Sequence, residues 1–392
     1  MTPITTTAQL AGFCEKLRGQ SFVAVDTEFM RESTYWPKLC LVQAAAGSAE
    51  AVIDPLSPDI DLEPFLAVMR DTGIEKVFHA ARQDVEILSN LGAMPIPLFD
   101  TQVAGMAAGF SEQVAYDVLV RQMLGVELDK SSRFTDWSRR PLSEAQLTYA
   151  LADVTHLARL YPMLRAKLEE NDRLPWVREE MAALVDPDLY DTSPENAWKR
   201  LKPRRNTAKY VSVLRALAAW REQTAQLRDQ PRGRILKDDA IDELATQTPT
   251  DLESLGRLRS LPKGFAGSRF GSEVISAVQA GLRAAETHGP EPKRTHRSAA
   301  APTGAVVELL KVLLKSRAED AKVASKLIAT VSDLEKIAGD DMADTPALHG
   351  WRRDTFGADA LKLKRGEIAL VLDCGKVRVV EVRRRPRAPA DD

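Results

Sequence analysis

The 392-residue sequence predicts an α/β domain built on a mixed sheet, followed by two small all-α domains. Three observations support this prediction. Apolar strand-like runs alternate with amphipathic helices over the first 170 residues, whereas residues 207–282 show only helical spacing of apolar positions. The helical pattern of residues 213–245 is weakly repeated in residues 306–338, as in a duplicated small domain. A stretch of low hydrophobicity at residues 288–304 separates the two copies.

The composition is typical of a globular protein in water. Hydrophobic residues make up 44% and charged residues 28%, and no apolar run approaches the roughly 18 residues that span a bilayer. Residues 1–7 lack the basic and apolar regions of a signal peptide. The three cysteines are far apart and form neither a disulfide framework nor a zinc pattern. We therefore expect a cytoplasmic protein with no membrane association.

Charge is unevenly distributed, although the formal net charge is only −2. Residues 199–237 contain twelve Lys or Arg against two acids, Glu222 and Asp229. Such a local excess is expected where a protein contacts phosphate groups, although a basic stretch is more often a solvated face. The charge pattern therefore favours nucleic-acid binding without establishing it.

The order of elements in the first domain predicts how its strands pair. Strand-like runs at residues 22–29, 39–44 and 51–54 are so close in sequence that they pair as an antiparallel meander. A later strand at residues 76–79 lies between helices, which favours parallel pairing. The expected product is a mixed sheet with the 22–29 strand at its centre. Helices are predicted over residues 8–18, 62–70, 82–91 and 147–168.

The first strand ends in two acids separated by one residue, Asp26 and Glu28. Successive side chains on a strand point to opposite faces, so these two carboxylates lie together on one face. They repel each other unless they share a cation, and oxygen ligands suit Mg²⁺ or Mn²⁺ rather than zinc. An isolated acidic pair of this kind is more often a solvated turn. The rest of the chain must decide between the two interpretations.

The long helix predicted at residues 147–168 carries a second pair of polar side chains. Ser143 and Gln146 have the spacing of a capping box at its start. Tyr149 and Asp153 are four residues apart, so they lie on one face of the helix.

At this point the sequence resembles a known family. Three blocks, VDTEF at 25–29, VFHAARQD at 77–84 and YALAD at 149–153, look like the exonuclease motifs of the DEDD superfamily. The tyrosine four residues before the last aspartate is that of one subclass. The run LDKSSRFTDWSRRPL at 128–142 is similar to the ribonuclease D family in particular. The resemblance implies a ribonuclease-H-like exonuclease fold for the first domain.

The resemblance also implies catalytic roles for five residues. Asp26, Glu28, Asp84 and Asp153 are expected to hold two divalent metal ions, Mg²⁺ or Mn²⁺. In this scheme Asp26 bridges both ions, while Glu28 and Asp153 complete the site of the ion that activates water. Asp84 helps to hold the ion at the leaving 3′ oxygen, directly or through water. Tyr149 orients the attacking water.

The activity implied by the family is metal-dependent 3′→5′ exoribonuclease activity that releases nucleoside 5′-monophosphates. Its expected substrates are tRNA precursors and other structured RNAs with single-stranded 3′ ends, and the chain is expected to be a monomer. Four further residues are candidates for substrate contact: His79, Lys130, Trp137 and Arg140. A buried or capping role for His79 and core packing for Trp137 remain open alternatives.

The helical regions resemble HRDC domains, which follow the nuclease domain in ribonuclease D. The run LRDQPRGRILKD at 227–238 gives this resemblance for the second region, and the third region resembles a second, divergent copy. The predicted boundaries are 1–185 for the exonuclease domain, 186–205 for a linker, 206–285 for the HRDC domain, 286–302 for a second linker, 303–385 for the divergent HRDC-like domain with a terminal hairpin, and 386–392 for a disordered tail.

Two other functions stay open at the level of sequence. A DNA 3′→5′ exonuclease of the same superfamily would use identical acids, because the metal site contacts phosphate rather than the 2′-hydroxyl that distinguishes RNA. A non-catalytic RNA-binding protein with a decayed site is the other alternative.

Overall fold

A computed structural model describes residues 2–129, 135–287 and 304–382. Their buried apolar side chains form three large cores, one for each region that the sequence distinguishes. The first core surrounds the sheet, and the other two lie inside the helical regions. Within these ranges, every helix is too short or too polar to cross a membrane.

The sheet of the first region contains the strands β1 (Phe22–Met30), β2 (Lys38–Ala46), β3 (Ala49–Ile53), β4 (Glu75–Phe78) and β5 (Leu98–Asp100). Their spatial order is β3-β2-β1-β4-β5. β1, β2 and β3 form an antiparallel meander, whereas β4 and β5 run parallel to β1. The predicted mixed sheet and the central position of the first strand are therefore confirmed.

Helices cover the sheet, and the longest of them carries part of the site. It begins after Ser143, whose side chain forms the predicted capping box with Gln146, and it contacts four of the five strands. It is longer than the apolar spacing predicts because the cap precedes the first apolar position. The helices are α1 (Thr7–Leu17), α2 (Glu63–Arg70), α3 (Arg82–Asn90), α4 (Thr101–Ala107), α5 (Tyr116–Leu124), α6 (Glu144–Glu170) and α7 (Leu174–Leu184).

Residues 186–205, which the sequence predicts as a linker, are ordered and packed. Two 3₁₀ helices form there, Pro187–Tyr190 and Pro194–Arg200. Tyr190 is buried in the first core, whereas Ala197 and Leu201 are buried in the second. The segment therefore contributes side chains to both neighbouring cores. Residues 288–303, which make up most of the second predicted linker, and the predicted tail at 386–392 lie outside the described residues.

The second and third regions repeat one helical order: a long helix, a very short helix, a medium helix and a closing helical segment. In each copy a glycine of the closing segment packs against a backbone carbonyl. A Cβ at Gly271 would lie 2.1 Å from Ala266 O, and one at Gly357 would lie 2.1 Å from Ala347 O. The shared packing supports the predicted duplication. The helices are α8 (Ala208–Leu227), α9 (Arg232–Ile235), α10 (Asp238–Gln247), α11 (Leu252–Gly256) and α12 (Arg269–Thr287), then α13 (Gly304–Ala321), α14 (Ser325–Ile328), α15 (Val331–Gly339), α16 (Gly350–Arg352) and α17 (Ala358–Arg365).

The third region ends in the hairpin that the sequence predicts. β6 (Ile368–Asp373) pairs antiparallel with β7 (Lys376–Glu381) through a two-residue turn. Cys374 and Gly375 have positive φ angles of 48° and 79°, as the favoured tight hairpin turns require.

The loop between β1 and β2 connects the α/β region to the second region through hydrogen bonds. The Tyr35 hydroxyl donates to the buried carboxylate of Glu222 and accepts a hydrogen bond from Arg232 Nη2 at 2.8 Å. The Arg232 guanidinium lies 4.6 Å from the centre of the Tyr35 ring. Asp229 accepts a hydrogen bond from the Tyr35 backbone N–H at 3.0 Å.

The third region contacts the loop that follows α4. Arg173 donates to Ala107 O at 2.7 Å and to Lys322 O at 3.1 Å, so one guanidinium joins the two regions. The Lys326 backbone N–H donates to Glu112 Oε1 at 3.0 Å. The loop that carries Glu112 continues into one wall of the cavity described below.

Candidate active site

Three carboxylates meet where α6 lies over β1. Asp26 and Glu28 project from the same face of the strand, and Asp153 reaches them from the helix. One oxygen from each side chain lies within 4.8 Å of the other two, and all three residues are half-buried. A β-bulge between Glu28 and Phe29 changes the strand register immediately after the acidic pair. The cluster can hold a metal ion, and its carboxylate oxygens are the donors that hard divalent cations prefer.

A cavity of about 360 Å³ opens beside this cluster. Asp26 and Asp153 line it together with Tyr149, which lies one helical turn before Asp153. The sequence-predicted pair on α6 therefore faces the same space as the acids of β1. The other lining residues are His79, Ala80, Gln102, Gln113, Ala115, Tyr116, Asp117, Leu128, Asp129 and Leu157.

Asp84, the fourth predicted ligand, is not a member of the three-carboxylate cluster. It is 7% exposed in the first turn of α3, and it accepts a hydrogen bond from the Thr27 hydroxyl. Burial raises its pKa well above the ordinary range, and the nearby charge of Asp26 raises it further. The charge of Asp26 therefore affects the Asp84 carboxyl, which accepts its hydrogen bond from the Thr27 hydroxyl.

Asp26, the central acid of the cluster, is destabilised when its carboxylate is charged and no cation is bound. Burial raises the pKa of Asp26 from 3.8 to about 6, and a hydrogen bond from the Thr27 backbone opposes this only in part. A cation that binds the carboxylate would lower the cost of the charge. The residues therefore fit a divalent metal ion both by donor type and by electrostatics.

Asp100 shapes the turn that connects β4 to α3. Its two carboxylate oxygens accept hydrogen bonds from the backbone N–H groups of Ala80 at 3.0 Å and Ala81 at 2.9 Å. Ala80 has a φ of 59°, a conformation that costs energy for a residue with a Cβ and here is supported by these bonds. Asp100 thereby fixes the point at which α3 begins. Because Asp84 lies in the first turn of α3, its position is fixed as well.

His79 lines the cavity, a position compatible with the predicted substrate contact. Its Nδ1 is 3.0 Å from Thr101 Oγ1, and burial lowers the pKa of the imidazole below 6.5. Its ring centre is 5.2 Å from that of Tyr116, whose hydroxyl donates to the Asp153 backbone carbonyl. Tyr116 was not predicted from sequence, because it lies in a helix that matches none of the motif blocks.

The other predicted substrate contacts are placed differently. Trp137 is 3% exposed and packs in the first core, with its ring centre 6.1 Å from that of Tyr149. Arg140 forms a bidentate ion pair with Asp54, with both N–O distances 2.6 Å. Neither side chain lines the cavity by the acids. The chain after residue 135 folds back on β2 and β3, which buries Trp137 and brings the Arg140 guanidinium to Asp54 and Cys40 O. Lys130 lies outside the described residues.

The raised pKa of Asp26 predicts a specific pH dependence of stability. Between its unfolded value near 4 and about 6, the folded metal-free protein binds more protons than the unfolded chain. Its unfolding free energy therefore falls, relative to Asp26→Asn, as pH rises through this window, by on the order of 2 kcal/mol. Urea unfolding of both proteins in chelator at pH 4.5 to 7.5 measures this difference, and parallel pH profiles would contradict the prediction.

Comparison with known proteins identifies the family. A family model described as 3'-5' exonuclease matches residues 1–169, and a model of the HRDC domain matches residues 211–278. Ribonuclease D of Granulibacter bethesdensis is 48% identical over 97% of this chain and 96% of its own length. Ribonuclease D of Nitrobacter hamburgensis is 50% identical over 97% of this chain and 100% of its own length.

Solved structures agree with the sequence relatives. The crystal structure of Escherichia coli RNase D, described as an exoribonuclease involved in structured RNA processing, matches with a TM-score of 0.78 and 28% identity. The match covers 93% of this chain and 98% of that one, so it includes the helical regions. With the three carboxylates in one cluster and relatives near 50% identity over the full length, the chain belongs to the ribonuclease D family of 3′→5′ exoribonucleases.

Proposed function

We propose that this exoribonuclease uses two divalent ions, Mg²⁺ or Mn²⁺, to trim the 3′ ends of structured RNAs such as tRNA precursors. The observation that carries the proposal is the cluster of Asp26, Glu28 and Asp153, whose carboxylate oxygens lie within 4.8 Å of one another beside a cavity. Together with Asp84, it provides four carboxylates, which suffice for two ions and leave positions for water and phosphate.

Each acid is assigned one role in hydrolysis. When bound, the ions activate the attacking water and stabilise the leaving 3′ oxygen. Asp26 would hold the ions together with Glu28 and Asp153 near the attacking water, and together with Asp84, directly or through water, near the leaving 3′ oxygen. Attack of water on phosphorus leaves the phosphate on the 5′ oxygen of the released nucleoside.

Tyr149 is assigned to orient the attacking water through its hydroxyl. It lines the cavity one helical turn from Asp153. Tyr149→Phe is therefore expected to lower kcat on the order of 100-fold and to leave Mn²⁺ affinity unchanged, since no metal ligand is removed. Single-turnover digestion and calorimetric titration with Mn²⁺ measure the two quantities.

Tyr161→Phe provides the matched control for this variant. Tyr161 is on the same helix but its hydroxyl donates to Glu75, away from the cavity. Loss of the Tyr161 hydroxyl should leave kcat unchanged. A tenfold or larger loss of Mn²⁺ affinity in Tyr149→Phe would show that Tyr149 supports the metal site instead.

The substrate assignment rests on the family and on the size of the site. The cavity of about 360 Å³ is in the range that holds a small ligand, so it suits one nucleotide of a single-stranded end rather than a duplex. The solved relative from Escherichia coli acts in structured RNA processing. The basic stretch at residues 199–237 adds positive charge that can contact the folded part of such an RNA.

Digestion of an end-labelled hairpin with a single-stranded 3′ tail tests the proposal. With Mg²⁺ or Mn²⁺ we expect an RNA ladder that shortens from the 3′ end, nucleoside 5′-monophosphates as products, and no ladder in chelator. Equal digestion of the matched DNA would favour the DNA exonuclease alternative. Failure to cut either substrate would favour a non-catalytic RNA-binding protein. The monomeric state and cytoplasmic location remain parts of the proposal, and light scattering in solution tests the first.

A further inference from the structure

A buried glutamine next to the acidic cluster has no hydrogen-bond partner. Gln43 is 0% exposed in the middle of β2. Among the described residues, neither Nε2 nor Oε1 of its amide has a donor or acceptor within reach. Leaving a buried amide unpaired costs free energy, and buried polar groups are nearly always satisfied in native proteins. The amide of Gln43 is therefore available for a hydrogen bond with a neighbouring group.

The strand register places this amide beside the central acid. Gln43 lies directly opposite Asp26 in the antiparallel pair of β1 and β2. Residues directly opposite each other project from the same face, with Cβ atoms about 5 Å apart. The glutamine amide is two carbons beyond its Cβ, so it can reach the carboxylate of its cross-strand neighbour.

The same face is the one on which the catalytic acids meet. Asp153 on α6 lies within 4.8 Å of Asp26 and Glu28, so α6 covers the face of the sheet from which Asp26 projects. α6 also contacts β2, so Gln43 lies beneath the helix that carries Asp153. Gln43 is thus buried on the same face of the sheet as the cluster.

We propose that Gln43 is a positioning residue for the metal site. In the metal-loaded protein its Nε2 donates a hydrogen bond to the carboxylate of Asp26 and thereby fixes the orientation in which Asp26 binds the ions. Ligating carboxylates are commonly hydrogen-bonded in this way, and loss of such a bond typically weakens metal binding about 10- to 100-fold. The inference rests on the proposed metal-dependent function.

Gln43→Met is the discriminating variant because it keeps the length of the side chain and removes both polar atoms. We expect Mn²⁺ affinity, measured by calorimetry, to fall at least about tenfold. We expect the metal-free melting temperature to stay equal or to rise, since replacement of an unpaired buried amide by an apolar group of similar shape is neutral or stabilising. A purely structural glutamine predicts the reverse pattern, with a lower metal-free melting temperature and unchanged Mn²⁺ affinity, and this result would overturn the proposal.

Val42→Ala is the matched control. Val42 is equally buried on the same strand, but its side chain projects from the opposite face. Its truncation should lower the melting temperature and leave Mn²⁺ affinity unchanged. If wild type itself binds no Mn²⁺, the proposed function fails and this inference with it; equal binding by wild type and Gln43→Met overturns only the role of Gln43.

A Mn²⁺-soaked crystal of the wild-type protein tests the same contact without any variant. Gln43 Nε2 within about 3.2 Å of an Asp26 carboxylate oxygen would support the proposal. An amide turned away from Asp26 in the metal-loaded site would overturn it.

Discussion

Asp26→Asn is expected to lower the turnover of RNA by at least about 1,000-fold, because about 4 kcal/mol of transition-state stabilisation is lost when the proposed metal ligand loses its charge. The neutral amide keeps the size of the side chain but loses the charge that attracts the cations. Single-turnover digestion with saturating Mn²⁺ measures the effect, so that weak binding of the first ion does not dominate the result.

Two measurements separate a chemical loss from an unfolded variant. The metal-free stability of Asp26→Asn should equal or exceed that of wild type at pH 7, since burial disfavours the Asp26 charge. Asp59→Asn makes the same chemical change at an exposed position and should retain full activity. Near-wild-type turnover by Asp26→Asn would contradict the assignment of the site.

Arg140→Ala is expected to destabilise the protein by about 3 kcal/mol, because removal of one partner leaves the other charge buried and unpaired. The Asp54 side chain is only 9% exposed and that of Arg140 is 27% exposed. The guanidinium also donates to Cys40 O at 2.7 Å and Trp137 O at 2.8 Å. One side chain thus ties the chain before α6 to β2 and to the end of β3.

Urea unfolding of Arg140→Ala and of Arg139→Ala tests this role. Arg139 is the exposed neighbour, and its truncation should change the unfolding free energy by less than about 0.5 kcal/mol. The sequence instead predicts Arg140 as a substrate contact, which would raise KM for RNA without lowering stability. A stable Arg140→Ala with a raised KM would therefore restore that prediction and contradict the structural role.

The acidic pair on β1 and the pair on α6 could be predicted because each depends on a local period. Alternation along a strand places Asp26 and Glu28 on one face, and helical spacing places Tyr149 and Asp153 on one face. The capping box at Ser143 and the hairpin turn at Cys374 are local for the same reason. The order of strands and helices likewise predicted the mixed sheet with β1 at its centre.

The tertiary contacts of a side chain cannot be predicted from the residues next to it in the sequence. Arg140 was predicted to contact substrate, and Trp137 either to contact substrate or to pack in the core. Only the tertiary structure pairs Arg140 with Asp54 and packs Trp137 in the first core. Asp84 has the expected position in its motif, yet the tertiary structure presents its carboxyl to Thr27.

The sequence by itself therefore determined the fold class, because apolar periodicity is a short-range property of the chain. Its motif blocks indicated the family, and the acids assigned to catalysis, through their resemblance to known exonucleases. The tertiary structure alone decided three things. It showed which acids form one cluster, that Arg140 forms a structural ion pair with Asp54, and that the buried amide of Gln43 lacks a hydrogen-bond partner among the described residues. These depend on long-range relations such as the strand register that sets Gln43 opposite Asp26 and the ion pair of Arg140 with Asp54.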